Sequence, residues 1–320
     1  MFRVFRLVTV VVLVAAASTV GAQSGKPVRM VVTFPPGGPV DIVARMIAPK
    51  FGELLGPPVI VDNRGGANGI IGTDFVAKSP PDGLTILFAS VSATAISPAV
   101  YPKMPYEPMR DFATVTLVST TPELLVVHPS IPAKTVKEFV ALAKARPGQL
   151  NIASTGSGGL PHLALELLKT ATKADVLHVP YNGAAPSVSA LLGGQVTGMF
   201  ADLPVLLPHV QGGKLRALGL ASPKRSALLP DLPTMTEQGL PSVEAINWYG
   251  VLAPAKTPRE TITKLHEALV KTLADPAVRE KMIARGADPV GNTPDQFSDY
   301  LRKDLERWAK LARTTSIKVD

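Results

Sequence analysis

Two glycine-rich loops carry the residues whose chemistry can be inferred most directly from this sequence. The first loop is Phe34-Pro35-Pro36-Gly37-Gly38-Pro39-Val40-Asp41. The second loop is Ser154-Thr155-Gly156-Ser157-Gly158-Gly159. Each follows a predicted strand and precedes a predicted helix, where glycines let backbone N–H groups approach a ligand and the helix start adds a partial positive charge. Such loops are suited to bind a carboxylate. The structural alternative for the first loop is a turn in which Asp41 caps the helix. For the second loop it is a flexible linker.

Further candidates for ligand contacts lie at other ends of predicted strands. Ser90 and Ser92 follow one strand, and Tyr181 and Asn182 lie in the turn after another. Tyr181 could form an aromatic wall, and Asn182 could donate or accept a hydrogen bond. Asp202 follows a further strand and could orient water or bind a hydroxyl or ammonium group. It could equally cap the following turn.

The sequence contains no recognisable catalytic or metal-binding motif. Its five histidines show neither H-x-H nor HExxH spacing, and the chain has no cysteine. Because the dinucleotide, phosphate-loop and G-x-S-x-G motifs are also missing, we predict neither a metal nor a cofactor. Ser157 and His162 could imitate part of a hydrolase site. We expect His162 instead to have a structural role or to lie at the edge of the ligand.

The candidate loops belong to an alternating pattern of strands and helices. Predicted strands lie at 28–34, 59–62 and 85–89, with helices at 41–55 and 70–78 between them. This order predicts a parallel, doubly wound sheet. A second set follows, with predicted strands at 124–128, 150–153, 176–179, 196–200 and 215–220. Helices are predicted to start at the capping residues Thr135, Thr257, Asp275 and Thr293.

The two sets predict two lobes with a helical tail. We assign residues 1–22 to a signal peptide, 23–123 with 248–320 to lobe 1, and 124–247 to lobe 2. A short strand at 251–252 would return the chain to lobe 1. The chain is therefore expected to cross between the lobes near 120–125 and 245–250.

The first residues are typical of a secretory signal peptide. Arg3 and Arg6 precede an apolar stretch, and Val20 and Ala22 fit a cleavage site before Gln23. An exported chain without cysteine suits the bacterial periplasm. The formal net charge of +8 falls to +6 without Arg3 and Arg6. The basic residues are spread along the chain among acidic ones. We therefore do not expect a nucleic-acid partner.

The sequence resembles the substrate-binding receptors of tripartite tricarboxylate transporters, the Bug-type family. The matching segments run in the family's order through most of the chain. They are FPPGGPVDIVAR (34–45), VDNRGGANGIIGTDFVAKSPPDGLTIL (61–87), NIASTGSGGLPHLALELL (151–168), VPYNGAAPSVSALLGGQV (179–196), LPDLPTMTEQGLP (229–241) and WYGVLAPAKTP (248–258).

The resemblance implies an α/β protein with the type II periplasmic-binding-protein fold, two doubly wound lobes around a ligand cleft. It also implies a carboxylate held by the loops at 34–41 and 154–157 with ordered water, and membrane transporter subunits as partners. Gly37 and Gly38 would supply backbone contacts, and Asp41 would mainly organise its loop. Many relatives have Ser or Thr where this chain has Val40, so the ligand is expected to be less polar at that end.

Two other functions stay open at this point. One is a periplasmic hydrolase, and the other is a sensory accessory that binds a ligand without a role in transport. We expect a monomer that is not an enzyme.

Overall fold

The computed structural model describes residues 25–315, so the predicted signal peptide lies outside the described part of the chain. Within these residues, ten strands form one continuous sheet. They are β1 (Val28–Val32), β2 (Val59–Asn63), β3 (Thr85–Ser90), β4 (Phe112–Val127), β5 (Asn151–Ser154), β6 (Leu177–Pro180), β7 (Gly198–Asp202), β8 (Arg216–Leu220), β9 (Ile246–Pro254) and β10 (Asp288–Pro289).

Helices cover both faces of this sheet. They are α1 (Pro39–Leu55), α2 (Ile70–Ala77), α3 (Ser97–Val100), α4 (Pro108–Asp111), α5 (Val136–Ala145), α6 (Leu160–Thr172), α7 (Ala184–Leu192), α8 (Leu203–Gln211), α9 (Arg259–Ala274), α10 (Pro276–Ile283) and α11 (Pro294–Thr315). A 3₁₀ turn at Ala67–Gly69 precedes α2, and a π-helical turn at Ser92–Ile96 precedes α3. Over residues 25–315, no helix is long and apolar enough to cross a membrane.

The sheet has two halves that meet at β4. In the first half, β1 pairs in parallel with β2 and β3, and β9 pairs antiparallel with β3. In the second half, β5 pairs in parallel with β6 and β7. Parallel strands covered on both faces are expected to be apolar, and β1, β3 and β7 are largely buried. The predicted βαβ units are therefore confirmed.

Strand β4 joins the two halves because it changes partner along its length. From Phe112 to Pro122 it pairs antiparallel with β9, and from Glu123 to Val127 it pairs with β7. Ala245, just before β9, hydrogen-bonds to Glu123 and Ala221 on the side of the second half. The chain thus passes between the halves at two adjacent places.

The lengths and directions of β4 and β9 differ from the sequence prediction. Only 124–128 and 251–252 were predicted as strands there, and the antiparallel pairs make the sheet mixed rather than wholly parallel. The apolar pattern before Leu124 is interrupted by hydroxyl side chains and Pro122. Thr114 and Thr116 donate to the Pro294 and Asn292 carbonyls, and Thr121 donates to Asp202. Tertiary pairing thus overrides the local pattern.

Most of the predicted helix caps are present. Thr135 accepts a hydrogen bond from the Glu138 amide, and Asp275 caps α10. Thr293 and Gln296 exchange hydrogen bonds at the start of α11. The prediction that Thr257 caps a helix is wrong, because α9 begins at Arg259 with Pro258 in the capping position.

The helical tail packs against the first half of the sheet. Trp248 of β9 donates a 2.7 Å hydrogen bond to Asp304 of α11 and contacts Phe297 edge-on, with ring centroids 5.5 Å apart. Gly250 of β9 leaves room for the Phe297 ring, since a Cβ atom there would lie 2.2 Å from it. These contacts fix β9, and through it the strand crossover, in place.

Candidate ligand-binding cleft

A small cavity lies where three helix starts meet the strand crossover. Its free volume is about 20 Å³, about the room that one water molecule needs. Helices α1, α6 and α7 all begin at its wall, and the residue before each of them is a glycine, which has no side chain to cap the first turn. The cavity is lined by Phe34, Pro35, Gly38, Pro39, Val40, Ser90, Ser92, Thr155, Pro161, Gly183, Ala184, Asp202 and Asn247.

The structure brings some of the predicted site residues to this cavity and places others elsewhere. The lining includes Phe34, Gly38, Pro39, Ser90, Thr155 and Asp202. The predicted residues that do not line it are Gly37, Asp41, Ser154, Gly156, Ser157, His162, Tyr181 and Asn182. The two glycine-rich loops therefore do meet at one place, although only part of each loop faces it.

In the first loop, Asp41 holds the backbone rather than facing the cavity. Its carboxylate accepts hydrogen bonds of 2.9 Å from the Gly37 amide, from Arg45 Nε and from Asn63 Nδ2. Asn63 also donates to the Phe34 carbonyl. Burial alone would raise the pKa of Asp41, but these donors outweigh it and lower the pKa below its ordinary value. Asp41 lies in the first turn of α1, and Gly38 takes the capping position.

In the second loop, a pair of histidines supports the backbone. The rings of His162 and His178 stack with centroids 3.9 Å apart. His162 Nδ1 accepts a hydrogen bond from the Gly158 amide, and His178 Nε2 lies 2.6 Å from Ser154 Oγ. Burial, helped by the neighbouring His162, lowers the pKa of His178 to about 4. Both rings are thus neutral structural groups at neutral pH.

This arrangement does not provide a hydrolase dyad. His162 uses Nδ1 to bind an amide of its own loop, and its Nε2 atom faces Glu166 at 3.8 Å. Within residues 25–315, the Ser157 hydroxyl has no hydrogen bond to His162. The serine therefore lacks the adjacent base that nucleophilic catalysis needs.

Several contacts join the two halves of the sheet across the cavity mouth. Asn68 Nδ2 donates to the Gly158 carbonyl at 3.0 Å, and the Tyr101 hydroxyl donates to the Ser157 carbonyl at 3.2 Å. The Leu160 amide donates to Ser92 Oγ at 3.1 Å. The cleft is therefore closed in this structure.

Gly183 makes another close approach between the halves. Its φ of +101° lies in a region that favours glycine, and a Cβ atom there would lie 3.3 Å from the Pro35 side chain. This turn brings the Gly183 backbone and the start of α7 to the cavity, while the neighbouring Asn182 side chain is exposed.

Asp202 and Asn247 line the cavity and belong to a buried patch of polar side chains on three adjacent strands, which we call the polar floor. Register places Glu123 opposite Asp202 and Thr121 opposite Asn247. Thr121 donates to Asp202 at 2.8 Å, and Asn247 Nδ2 donates to Asp202 and to the Tyr249 hydroxyl, each at 3.1 Å. Asp202 is thus held by the floor and does not cap α8 with its side chain.

Two buried carboxyl groups set the charge of this floor. Burial raises the pKa of Asp202 to about 6, although hydrogen bonds from Thr121 and Asn247 oppose the shift. Glu123 is wholly buried, and neither of its oxygens has a hydrogen-bond partner among the described residues. Burial, together with the Asp202 charge, raises the pKa of Glu123 well above its ordinary value. The site therefore favours the protonated form of Glu123.

Sequence reasoning found Asp202 but missed the rest of the polar floor. The missed residues are Thr121, Glu123, Asn247 and Tyr249. A signal was available, because Ser119, Thr121 and Glu123 alternate along the chain as one face of a strand does.

Comparison with known proteins identifies close relatives over nearly the whole chain. Residues 43–317 match the tripartite tricarboxylate transporter family receptor. The protein BugT of Bordetella pertussis is 38% identical over 307 residues, which cover 96% of this chain and 94% of the relative. A protein of Pseudomonas sp. encoded in the tcbD–tcbE intergenic region is 40% identical over 296 residues, 92% of this chain and 88% of the relative.

Solved structures share the fold. A periplasmic transporter superposes with a TM-score of 0.90 at 39% identity, covering 93% of this chain and all of that one. A Rhodopseudomonas palustris protein with adipate gives 0.88 at 34% identity, covering 91% and 98%. MatC of the same organism, with bound malate, gives 0.84 at 32% identity, covering 89% and 98%. The predicted periplasmic-binding-protein fold is confirmed.

Proposed function

Because this chain belongs to the tripartite tricarboxylate transporter receptor family and is thus a receptor rather than an enzyme, we propose that it binds a small carboxylate in the cleft. The bound ligand would be delivered to membrane subunits of a transporter. Two similar proteins have been solved with the carboxylates adipate and malate. Their ligands make a carboxylate the reasonable first class to test.

The observation that carries the proposal is the convergence of α1, α6 and α7 on one cavity. The residue before each helix is a glycine without a capping side chain, and each helix start carries a partial positive charge. In the closed cleft the Leu160 amide of α6 is bonded to Ser92 Oγ. The cavity has no Lys, Arg or His in its described lining. A ligand carboxylate would therefore be held by main-chain donors at these helix starts, such as the Val40 and Ala184 amides, whose residues line the cavity.

The walls of the cavity favour a ligand with an apolar body. The cavity is lined by the apolar side chains of Phe34, Pro35, Val40, Pro161 and Ala184. Burying apolar ligand surface against them contributes roughly 25 cal/mol per Å². Val40 leaves no hydroxyl group at this part of the wall.

We further propose that the two halves of the sheet are lobes that separate to admit the ligand. A free volume of about 20 Å³ is too small for even a short carboxylic acid. The only described covalent crossings between the halves lie near Pro122–Glu123 and Ala245–Ile246, so these segments are the natural hinges. The mature chain would act in the periplasm, as a monomer.

The proposal is tested by comparing carboxylic acids with their primary amides. Mono-, di- and tricarboxylates should first be screened by thermal shift, since a ligand that binds only the folded state raises the melting temperature. Each acid that binds should then be measured by calorimetry beside its amide. We expect at least ~10-fold tighter binding of the acid, or about 1.4 kcal/mol. Equal affinity for acid and amide would refute carboxylate binding.

A further inference from the structure

The polar floor presents hydrogen-bond acceptors to the cavity, whereas the helix starts present donors. Asn247 is 4% exposed and its Oδ1 atom has no partner among the described residues. Ser90 is 1% exposed and its Oγ atom likewise has no partner there. Both residues line the cavity beside Asp202. Buried polar atoms of this kind usually have a partner, so these point to a group supplied by the ligand.

The orientation of the Asn247 side chain follows from its neighbours. Its Nδ2 atom lies 3.1 Å from an Asp202 oxygen, and an ionised carboxylate can only accept hydrogen bonds. The amide nitrogen must therefore face Asp202, which leaves the Oδ1 acceptor unpaired. A donor group on the ligand would satisfy it.

The charge of the cavity points the same way. Asp202 is the one ionisable group among its described lining residues, and no lining cation offsets it. Around Asp202 lie Glu123 on β4 and the Tyr249 hydroxyl on β9, neither of which can supply a positive charge. A buried carboxylate without a cationic partner is unfavourable, and a second carboxylate beside it would be more so.

We propose, on the basis of carboxylate binding at the helix starts, that the ligand also carries a hydrogen-bond donor that reaches Asp202, Asn247 and Ser90. An ammonium group at that position binds most tightly, a hydroxyl group less tightly, and a second carboxylate least. The receptor therefore selects amino or hydroxy acids over unsubstituted acids and dicarboxylates.

The experiment uses acids that are matched in length and differ in one group. Suitable probes are butyrate, 4-hydroxybutyrate, 4-aminobutyrate and succinate, with the 2-amino and 2-hydroxy isomers of butyrate and the corresponding hexanoate series. Calorimetry on the full mature chain should show, in at least one series, the ammonium form binding at least ~10-fold more tightly than the methyl form. The dicarboxylate should bind least tightly in that series.

The variant Asp202→Asn separates this inference from the proposed function. It should remove most of the ammonium-over-methyl preference, because a neutral amide replaces the carboxylate that pairs with the ammonium group. Asp231→Asn, at an exposed position, should retain the preference. If acids and amides bind equally, the proposed function fails. If acids bind but every series lacks the donor preference, or Asp202→Asn retains it, this inference alone is wrong.

A pH series on the unmodified protein tests the same point without a variant. Protonation of Asp202 removes the negative charge that the ammonium group pairs with. Because burial raises the pKa of Asp202 to about 6, the ammonium-over-methyl ratio should fall between pH 7.5 and pH 5, by up to ~10-fold per pH unit below that pKa. A constant ratio across this range would overturn the inference even if Asp202→Asn does not fold.

Discussion

The two ends of the cleft are built by different means. At the helix starts, the donors belong to the main chain, and side chains such as Asp41 and His162 only hold the loops in place. At the polar floor, the functional atoms belong to side chains on β4, β7 and β9. The first end tolerates changes in side-chain identity wherever the backbone keeps its path. The second depends on each side chain and on strand register.

The two ends also differ in their effect on stability. An uncapped helix start that faces water loses little stability, since water can satisfy its N–H groups. The polar floor buries Glu123, which has no hydrogen-bond partner within residues 25–315, and places it opposite a second carboxyl group. The floor therefore reduces the stability of the folded state, whereas the loops do not.

The substitution Glu123→Gln should have the largest effect among the tests of this contrast. Burial raises the pKa of Glu123 well above 4.5 in the folded state. Its contribution to stability is therefore full below pH 4.5 and is lost as the pH rises through the folded-state pKa, by up to about 1.4 kcal/mol per pH unit. Glutamine does not titrate. Denaturant unfolding should show equal stability near pH 4.5 and a variant that is more stable than the unmodified protein near pH 7.5.

Glu280→Gln is the control for that series, because Glu280 is exposed. It should follow the unmodified protein at every pH. Parallel pH profiles for Glu123→Gln and the unmodified protein would show that the floor carries no such cost.

The next test acts on the helix starts, through Gly38→Val. The backbone at Gly38 is extended, and an added Cβ atom would lie 3.4 Å from the Pro35 carbonyl, so the variant should fold. Its methyl groups would lie between the ligand and the amides of α1. We expect a loss of about 2 kcal/mol in binding by calorimetry, with the unfolding free energy nearly unchanged. Gly38→Ala should lose less, and unchanged affinity for both variants would remove this loop from the site.

The smallest effect concerns the contacts that bring the two ends together. Asn68→Gly keeps the positive φ of +52° but removes the hydrogen bond to the Gly158 carbonyl. Only the closed cleft makes this bond, so ligand affinity should fall by about 1 kcal/mol. Tyr101→Phe removes a similar bond to Ser157 and should lower ligand affinity in the same way.

Solution scattering should show a smaller radius of gyration when ligand is bound, and this decrease should be smaller in both variants. An identical response in all three proteins would contradict the role of these contacts.

The contrast between the two ends also explains what the sequence could predict. Glycines between a strand and a helix mark a ligand-binding loop directly, and both loops do reach the cavity. Tyr181 and Asn182 were predicted from the same type of turn, but there the backbone at Gly183 faces the cavity. Asp202 was recognised because it ends a strand.

The rest of the floor was not predicted because it depends on pairing between distant segments. Thr121 and Asn247 become neighbours only when β4 and β9 pair in their observed register. Hydroxyl groups and Pro122 also made residues 112–123 look like a loop. Local patterns predicted the parallel βαβ units well, since those units are set by adjacent strands and helices.

The shared strand β4 also governs the order in which the chain can assemble. Strands β5 to β8 pair among themselves or with the end of β4, so the second half can form once residues up to about 220 exist. Strands β1 to β3 can pair among themselves, but the first half is completed and joined to β4 only by β9, which follows the whole second half in the chain. Closing that long loop costs entropy before its contacts form, and such non-local pairing slows folding. Until β9 arrives, the edges of β3 and β4 are open to other extended chains, so the newly made protein is most vulnerable to aggregation at the strand that later forms its binding site.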